Sequence, residues 1–249
     1  MAWTETASLS FVARHESAQA TAAQAVLDDL ERFRAELERI FERVPGEISV
    51  VIHPRPAMLA LAAPWLPLAR MVSAPAGRRY FAGWFAQREI HMLATEALER
   101  RASSVPGSRE ALTRTPRHEY SHLVLAANNP SMPPPFTPAG FRRYVRNAWV
   151  CEGAAVHFAG QVPHLRAAVA RRLREGGRPR FPPAARDSFV LGGTVFGLLE
   201  RELGATACVS LATAPLGSPG TELVEAAFGR SPSAVERSWT DYLAEFTAG

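Results

Sequence analysis

The sequence predicts an α+β fold in which a small, mostly antiparallel sheet lies N-terminal to two helices carrying clustered His and Glu residues, followed by a helical lobe. Three observations lead there. The segments that read as strands all fall before residue 94. The run from about Ala18 to Val44 instead repeats its apolar residues at steps of three and four. Beyond residue 140 only helical periods remain. At 249 residues, 47% of them hydrophobic, the chain can bury a substantial core. We treat 1–249 as one unit in two lobes, 1–127 with the sheet and first key helix, and 128–249 mainly helical.

Ser8 to Arg14 reads as a strand, with Leu9, Phe11 and Ala13 on one face. The following helix carries Val26, Leu30, Phe33, Leu37, Ile40, Phe41 and Val44 on its apolar stripe and ends at Pro45-Gly46. Glu47 to His53 is a second strand, stopped by Pro54. Ala57 to Val72 is an apolar helical region interrupted by prolines. Arg79 to Phe85 and Glu89 to Leu93 are two short strands joined near Ala86-Gln87. Ser108 can cap a helix that runs to Ala127 before Asn128-Asn129-Pro130. Pro116 either kinks that helix or sits at the first position of a fresh one capped by Thr115. Pro130 to Gly140, with three consecutive prolines, is a loop. Further helices are expected around Glu152 and over Val162–Glu175, Arg186–Leu203, Thr206–Thr213, Gly220–Phe228 and Ser233–Phe246.

The chemistry begins at His118-Glu119-Tyr120-Ser121-His122. Residues four apart share a helix face, so His118 and His122 can aim at one ion while Glu119 sits one step round, beside it. Neutral imidazoles suit Zn²⁺, and a neighbouring carboxylate suits proton abstraction from the water that the ion activates. A catalytic zinc needs a third protein ligand. The metzincin pattern would place a Gly and then a third His at fixed offsets, but Leu125 and Asn128 stand there. The best candidate is Glu152, in Trp149-Val150-Cys151-Glu152-Gly153-Ala154-Ala155, where the small residues would let a second helix lie close to the first. Asp187 and Glu200 are the other acids to consider.

A His-Glu-x-x-His helix followed by a Trp-x-x-Glu-Gly-x-Ala helix resembles the gluzincin metallopeptidases, the group that includes thermolysin and aminopeptidase N. More narrowly it is similar to small bacterial peptidase-MA-like domains. The likeness runs from about Ser8 to Phe246 and includes a closing segment at Phe228 to Leu243. It implies one Zn²⁺ per chain held by His118, His122 and Glu152, Glu119 as catalytic base, and a peptide or protein substrate. It also implies that Glu89–Leu93 is an edge strand along the cleft, a place where an extended peptide can pair. In such families a Tyr commonly precedes a Gly-Gly helix and donates to the oxyanion. Here that stretch is Phe189-Val190-Leu191-Gly192-Gly193, without a hydroxyl, so Tyr144 or an Arg would have to substitute.

Composition narrows the partners. All 28 basic residues are Arg, against 24 acids, giving a formal net charge of +4. The arginines are scattered, which together with abundant Ala and Pro reads as the bias of a GC-rich genome and gives no nucleic-acid stripe. Cys151 and Cys208 make no disulfide framework and read as small buried residues. Met1 to Ser10 is polar, and no run approaches the roughly 18 apolar residues of a membrane span. We therefore expect no membrane partner and a cytoplasmic location. His91 reads as an exposed or cross-strand residue, and His157 as a packing or surface residue or as a support for Glu152. The expected function is zinc-dependent peptide hydrolysis. The alternative is a catalytically weak zinc-bearing domain of the same fold that binds peptides.

Overall fold

In the computed structural model, which describes residues 2–134 and 136–248, five strands form one sheet in the order β1-β2-β3-β5-β4. Pro135 of the proline loop lies outside the described residues. The strands are β1 (Trp3–Ala7), β2 (Phe11–Glu16), β3 (Ile48–His53), β4 (Gly83–Phe85) and β5 (Glu89–Leu93). All precede the first histidine helix, so the α+β reading holds.

The sheet is mixed. β1 and β4 pair antiparallel with β2 and β5, but β3 runs parallel to both β2 and β5. The cause is connectivity. Helix α1 (Ala20–Leu37) carries the chain from β2 to β3, and α2 (Pro56–Ala62) and α3 (Leu66–Val72) lie between β3 and the β4–β5 hairpin. Helical crossovers return a strand parallel to its predecessor, whereas tight turns give antiparallel pairs.

Placement also differs from expectation. β5 is an interior strand, flanked by β3 and β4, so the edge is β4. β2 starts at Phe11 because Phe11, Ala13 and His15 face inward, while Leu9 is 94% exposed in the turn. That turn is tied down by Glu31, whose carboxylate accepts from Ser8 Oγ at 2.7 Å and Ser10 N–H at 2.6 Å. Helix α1 stops at Leu37, and Phe41 packs into the core from the turn beyond it.

After β5 come α4 (Thr95–Arg101), α5 (Ser108–Thr113) and α6 (Thr115–Asn128). The break at Arg114 resolves the Pro116 question in favour of a fresh helix, with Pro116 in its first turn, where its missing N–H costs nothing. Arg114, one residue earlier than expected, is the N-cap, and Thr115 Oγ1 donates to Leu112 O at 2.7 Å. Helices α7 (Pro138–Arg146), α8 (Ala148–Phe158), α9 (Arg166–Arg174), α10 (Ser188–Leu203), α11 (Ala205–Thr213), α12 (Gly220–Phe228) and α13 (Pro232–Ala248) complete the chain.

Helix α8 is buried along nearly its whole length and packs most extensively on α10. A Cβ on Gly153 would lie 2.6 Å from the carbonyl carbon of Gly192, so the two backbones touch. The small residue after Glu152 thus serves the α8–α10 contact, not the approach of α8 to α6 expected from the sequence. One hydrophobic cluster runs from Phe11 through Tyr120 and Trp149 to Leu243 and joins sheet and helices. No helix among the described residues is long and apolar enough to cross a membrane.

Candidate metal centre

Helix α6 lies against β4 and β5, and its residues His118 to Leu125 are all buried. One turn of helix separates His118 from His122, and their Nε2 atoms are 3.1 Å apart. From α8, Glu152 brings Oε2 to 3.4 Å from His118 Nε2 and Oε1 to 3.5 Å from His122 Nε2. These three buried side chains could hold a metal ion. The donor separations fit: ligand bonds of about 2.0–2.1 Å in a tetrahedron put donors roughly 3.3 Å apart.

The hydrogen bonds around the cluster fix its orientation. Gln161 Nε2 donates to Ala111 O at 2.8 Å, which leaves Gln161 Oε1 to accept from His118 Nδ1 at 2.9 Å. Holding the proton on Nδ1 turns the lone pair of Nε2 toward the cluster. His122 is fixed by stacking on Phe85, with centroids 4.2 Å apart and planes 16° from parallel. The Tyr144 hydroxyl of α7 donates to Glu152 Oε1.

Burial pushes His122 down to about 3, keeping it neutral. For Glu152 burial favours the neutral acid, but His122, His118 and the Tyr144 hydroxyl outweigh it and hold the carboxyl down to about 2. His118 moves upward although burial opposes its charge, because Glu152 and Glu119 face it. Burial, reinforced by the charge of Glu152, pushes Glu119 up to about 8. Two buried imidazole nitrogens and a carboxylate aimed at one point form a place that a cation would relieve.

Glu119 lies in the same cleft, of about 90 Å³, as His118, His122, Glu152, Tyr144 and Phe189. Its carboxylate rests on β4, where a Cβ added to Gly83 would fall 2.5 Å from Glu119 Oε1. Phe189, at the start of α10, has its ring 5.1 Å from that of His118 and stacks on Tyr80 at 5.6 Å. The helix is therefore beside the cleft as expected. Contiguous with this cleft is an open apolar cavity of about 590 Å³, walled by Trp65, Trp84, Phe85, Phe136 and Phe141. Trp65 is 44% and Phe141 53% exposed at its mouth.

The other sequence candidates lie elsewhere. Asp187 is locked with Arg172 in a buried bidentate ion pair, at 2.5 and 2.9 Å. Glu200 is outside the cluster. The ring of His157 packs against Phe158 and Phe196, and the support for Glu152 comes instead from the Tyr144 hydroxyl. His91 is cross-strand, its Nδ1 3.0 Å from His53 Nε2 and its Nε2 3.1 Å from Glu89. Sequence reasoning missed Gln161 and Gly83. Neither has a motif, although Gly83 beside three aromatic residues in Phe81-Ala82-Gly83-Trp84-Phe85 hints at a close backbone approach. Comparison with family models, curated proteins and solved structures finds no match.

Proposed function

We propose that this protein is a zinc-dependent peptidase. The observation that carries the reading is the convergence of His118, His122 and Glu152 on one point, with Glu119 beside them and the edge strand β4 forming a wall of the cleft. Two imidazoles and one carboxylate are a ligand set suited to Zn²⁺ with a position left open. Zinc, when bound, supplies Lewis acidity toward a carbonyl and lowers the pKa of water.

The chain's own residues supply the rest. An extended peptide is held by pairing with β4, which no strand among the described residues covers on its outer side. Glu119 takes a proton from the attacking water and returns it to the departing amine. Burial pushes its carboxyl up to about 8 in the metal-free cleft, and the charge of a bound cation would bring it back toward the ionised form that accepts the proton. Gln161 keeps His118 in the ligating tautomer, and the cavity between Trp84 and Phe141 receives apolar side chains. Metal analysis of the purified protein, combined with hydrolysis of a mixed peptide library by wild type and Glu119→Gln, tests the reading. One zinc per chain in both proteins and cleavage only by wild type is expected. A metal-free wild type refutes it.

One observation favours the second reading, a peptide-binding domain with weak catalysis. Phe189 offers no hydroxyl, and that of Tyr144 is already engaged with Glu152. In that case peptides bind in the cleft of the zinc-loaded protein and leave intact.

A further inference from the structure

Behind the metal cleft the segment Arg78-Arg79-Tyr80-Phe81 has two faces. Tyr80 and Phe81 line the cleft, while Arg78 and Arg79 line a separate cavity of about 360 Å³. Arg70 of α3, Arg101 of α4 and Arg171 of α9 complete its walls, with Pro75 as the remaining lining residue. Five guanidinium groups from four separate stretches of chain thus meet in one place.

Three of them are held in position by neutral partners. Arg70 donates through Nε and Nη2 to Phe81 O, at 2.9 and 2.5 Å. Arg78 donates to Ser73 O at 3.1 Å and Met71 O at 3.2 Å, and Arg101 to Arg79 O and, at 3.1 Å, to Arg78 O. Carbonyl oxygens fix a guanidinium without cancelling its charge. Among the described residues no carboxylate lies within ion-pair distance of Arg70, Arg78, Arg79 or Arg101. No acid among the described residues lines the cavity; Glu175, outside the lining, accepts from Arg171 at 2.9 Å and from Ala76 N–H at 3.3 Å. Arg101 is depressed to about 10 by burial and by the nearby charges of Arg70 and Arg79. Arg70, Arg79 and Arg101 are partly buried and Arg78 is exposed; partly buried cations normally have counter-ions, and here three are gathered without one among the described residues.

We propose that this arginine cavity is a binding site for a small oxyanion carrying two or more negative charges, of the phosphate or pyrophosphate type. Planar guanidinium forks match the paired oxygens of such groups, and preset forks lose little entropy on binding. The cavity has room for a pyrophosphate-sized group. Because the 78–81 segment is shared, an occupant of the cavity would brace one wall of the metal cleft.

The test titrates inorganic pyrophosphate into metal-stripped protein at constant ionic strength, so that neither zinc chelation nor simple screening contributes, and follows binding by calorimetry. Arg79→Gln and Arg171→Gln are the variants, since neither side chain supports a backbone carbonyl. Saturable binding is expected in wild type, with affinity lowered about tenfold in each variant, as loss of a charge-assisted hydrogen bond implies. Arg142→Gln, in α7 and outside the cavity, should bind like wild type. Absence of binding in wild type, unchanged affinity in the Arg79/Arg171 double variant, or an equal loss in Arg142→Gln would overturn the proposal.

Discussion

Gly83 of β4 and Glu119 of α6 touch so closely that any side chain on the strand there must displace its neighbours. A Cβ at this position would lie 2.5 Å from Glu119 Oε1, 2.7 Å from its Cγ and 2.7 Å from Thr115 Cγ2. The strand that forms the cleft edge therefore also fixes the carboxylate to which we assign proton transfer. Gly83→Ala should push that carboxylate aside while leaving the three ligand side chains in place. We expect metal content to be kept and peptide turnover to fall by about a hundredfold, the scale on which small misplacement of a reacting group acts. Overpacking should also cost about 1–3 kcal/mol of stability. Normal turnover in the folded variant would show that Glu119 is not positioned by this contact.

The ligand set makes its own prediction. Wild type should bind one zinc, and His118→Ala or His122→Ala should lose it. Glu152→Ala should bind much more weakly and Glu119→Gln normally. Gln161→Leu, which touches no metal, should lower zinc affinity about 10- to 100-fold because His118 loses the acceptor that orients it. Competition with a chromogenic chelator measures all five, and zinc retained by a His118/His122 double alanine variant would eliminate the site.

Phe189→Tyr should leave zinc affinity unchanged and raise kcat, by about tenfold or more, if the new hydroxyl reaches the oxyanion from beside His118. Tyr144→Phe separates the two roles that its hydroxyl can play. A change in kcat at constant zinc affinity identifies an oxyanion donor, and a change in zinc affinity identifies a support for Glu152. If Phe189→Tyr is no faster, a different group already stabilises the oxyanion.

Acid stability should depend on His53. Burial, with the nearby charge of His91 and against the opposing charge of Glu89, lowers its pKa from 6.5 to about 4. The unfolded chain thus takes up this proton at a higher pH than the folded protein does. The contribution to stability is complete above about 6.5 and is lost as the pH falls toward about 4. The urea midpoint of metal-free His53→Gln should therefore decline less between pH 7 and pH 4.5 than that of wild type. Parallel curves for the two proteins would contradict this.

Why some of this was legible and some was not follows from what each residue buries. His118, Glu119 and His122 were readable because a helix alone sets their geometry, and Glu152 because its neighbours are conspicuously small. For Gly153 the reason is different from the one the sequence suggests, since it faces Gly192 of α10. β1 went unseen because its residues are mostly exposed and leave no alternation to detect. Strand order was also out of reach. Only the helical crossovers make β3 parallel to its neighbours, and only hydrogen bonding reveals that β4 lies outside β5. Gln161 was hidden for a related reason, because a polar residue in a turn acquires meaning only once Ala111 and His118 are brought to either side of it.

That same glutamine bears on the order in which a growing chain can assemble the centre. Residues 118 and 122 leave the ribosome first, after all five strand segments, yet the acid at 152 and the amide at 161 follow some thirty to forty positions later. Until then the paired histidines lack the Glu152 carboxylate and the amide that fixes the tautomer of His118. On the proposed reading, tight capture of an ion would be deferred until α8 and the turn after it have docked. A nascent chain halted before residue 147 would hold zinc loosely and surrender it to any competing chelator.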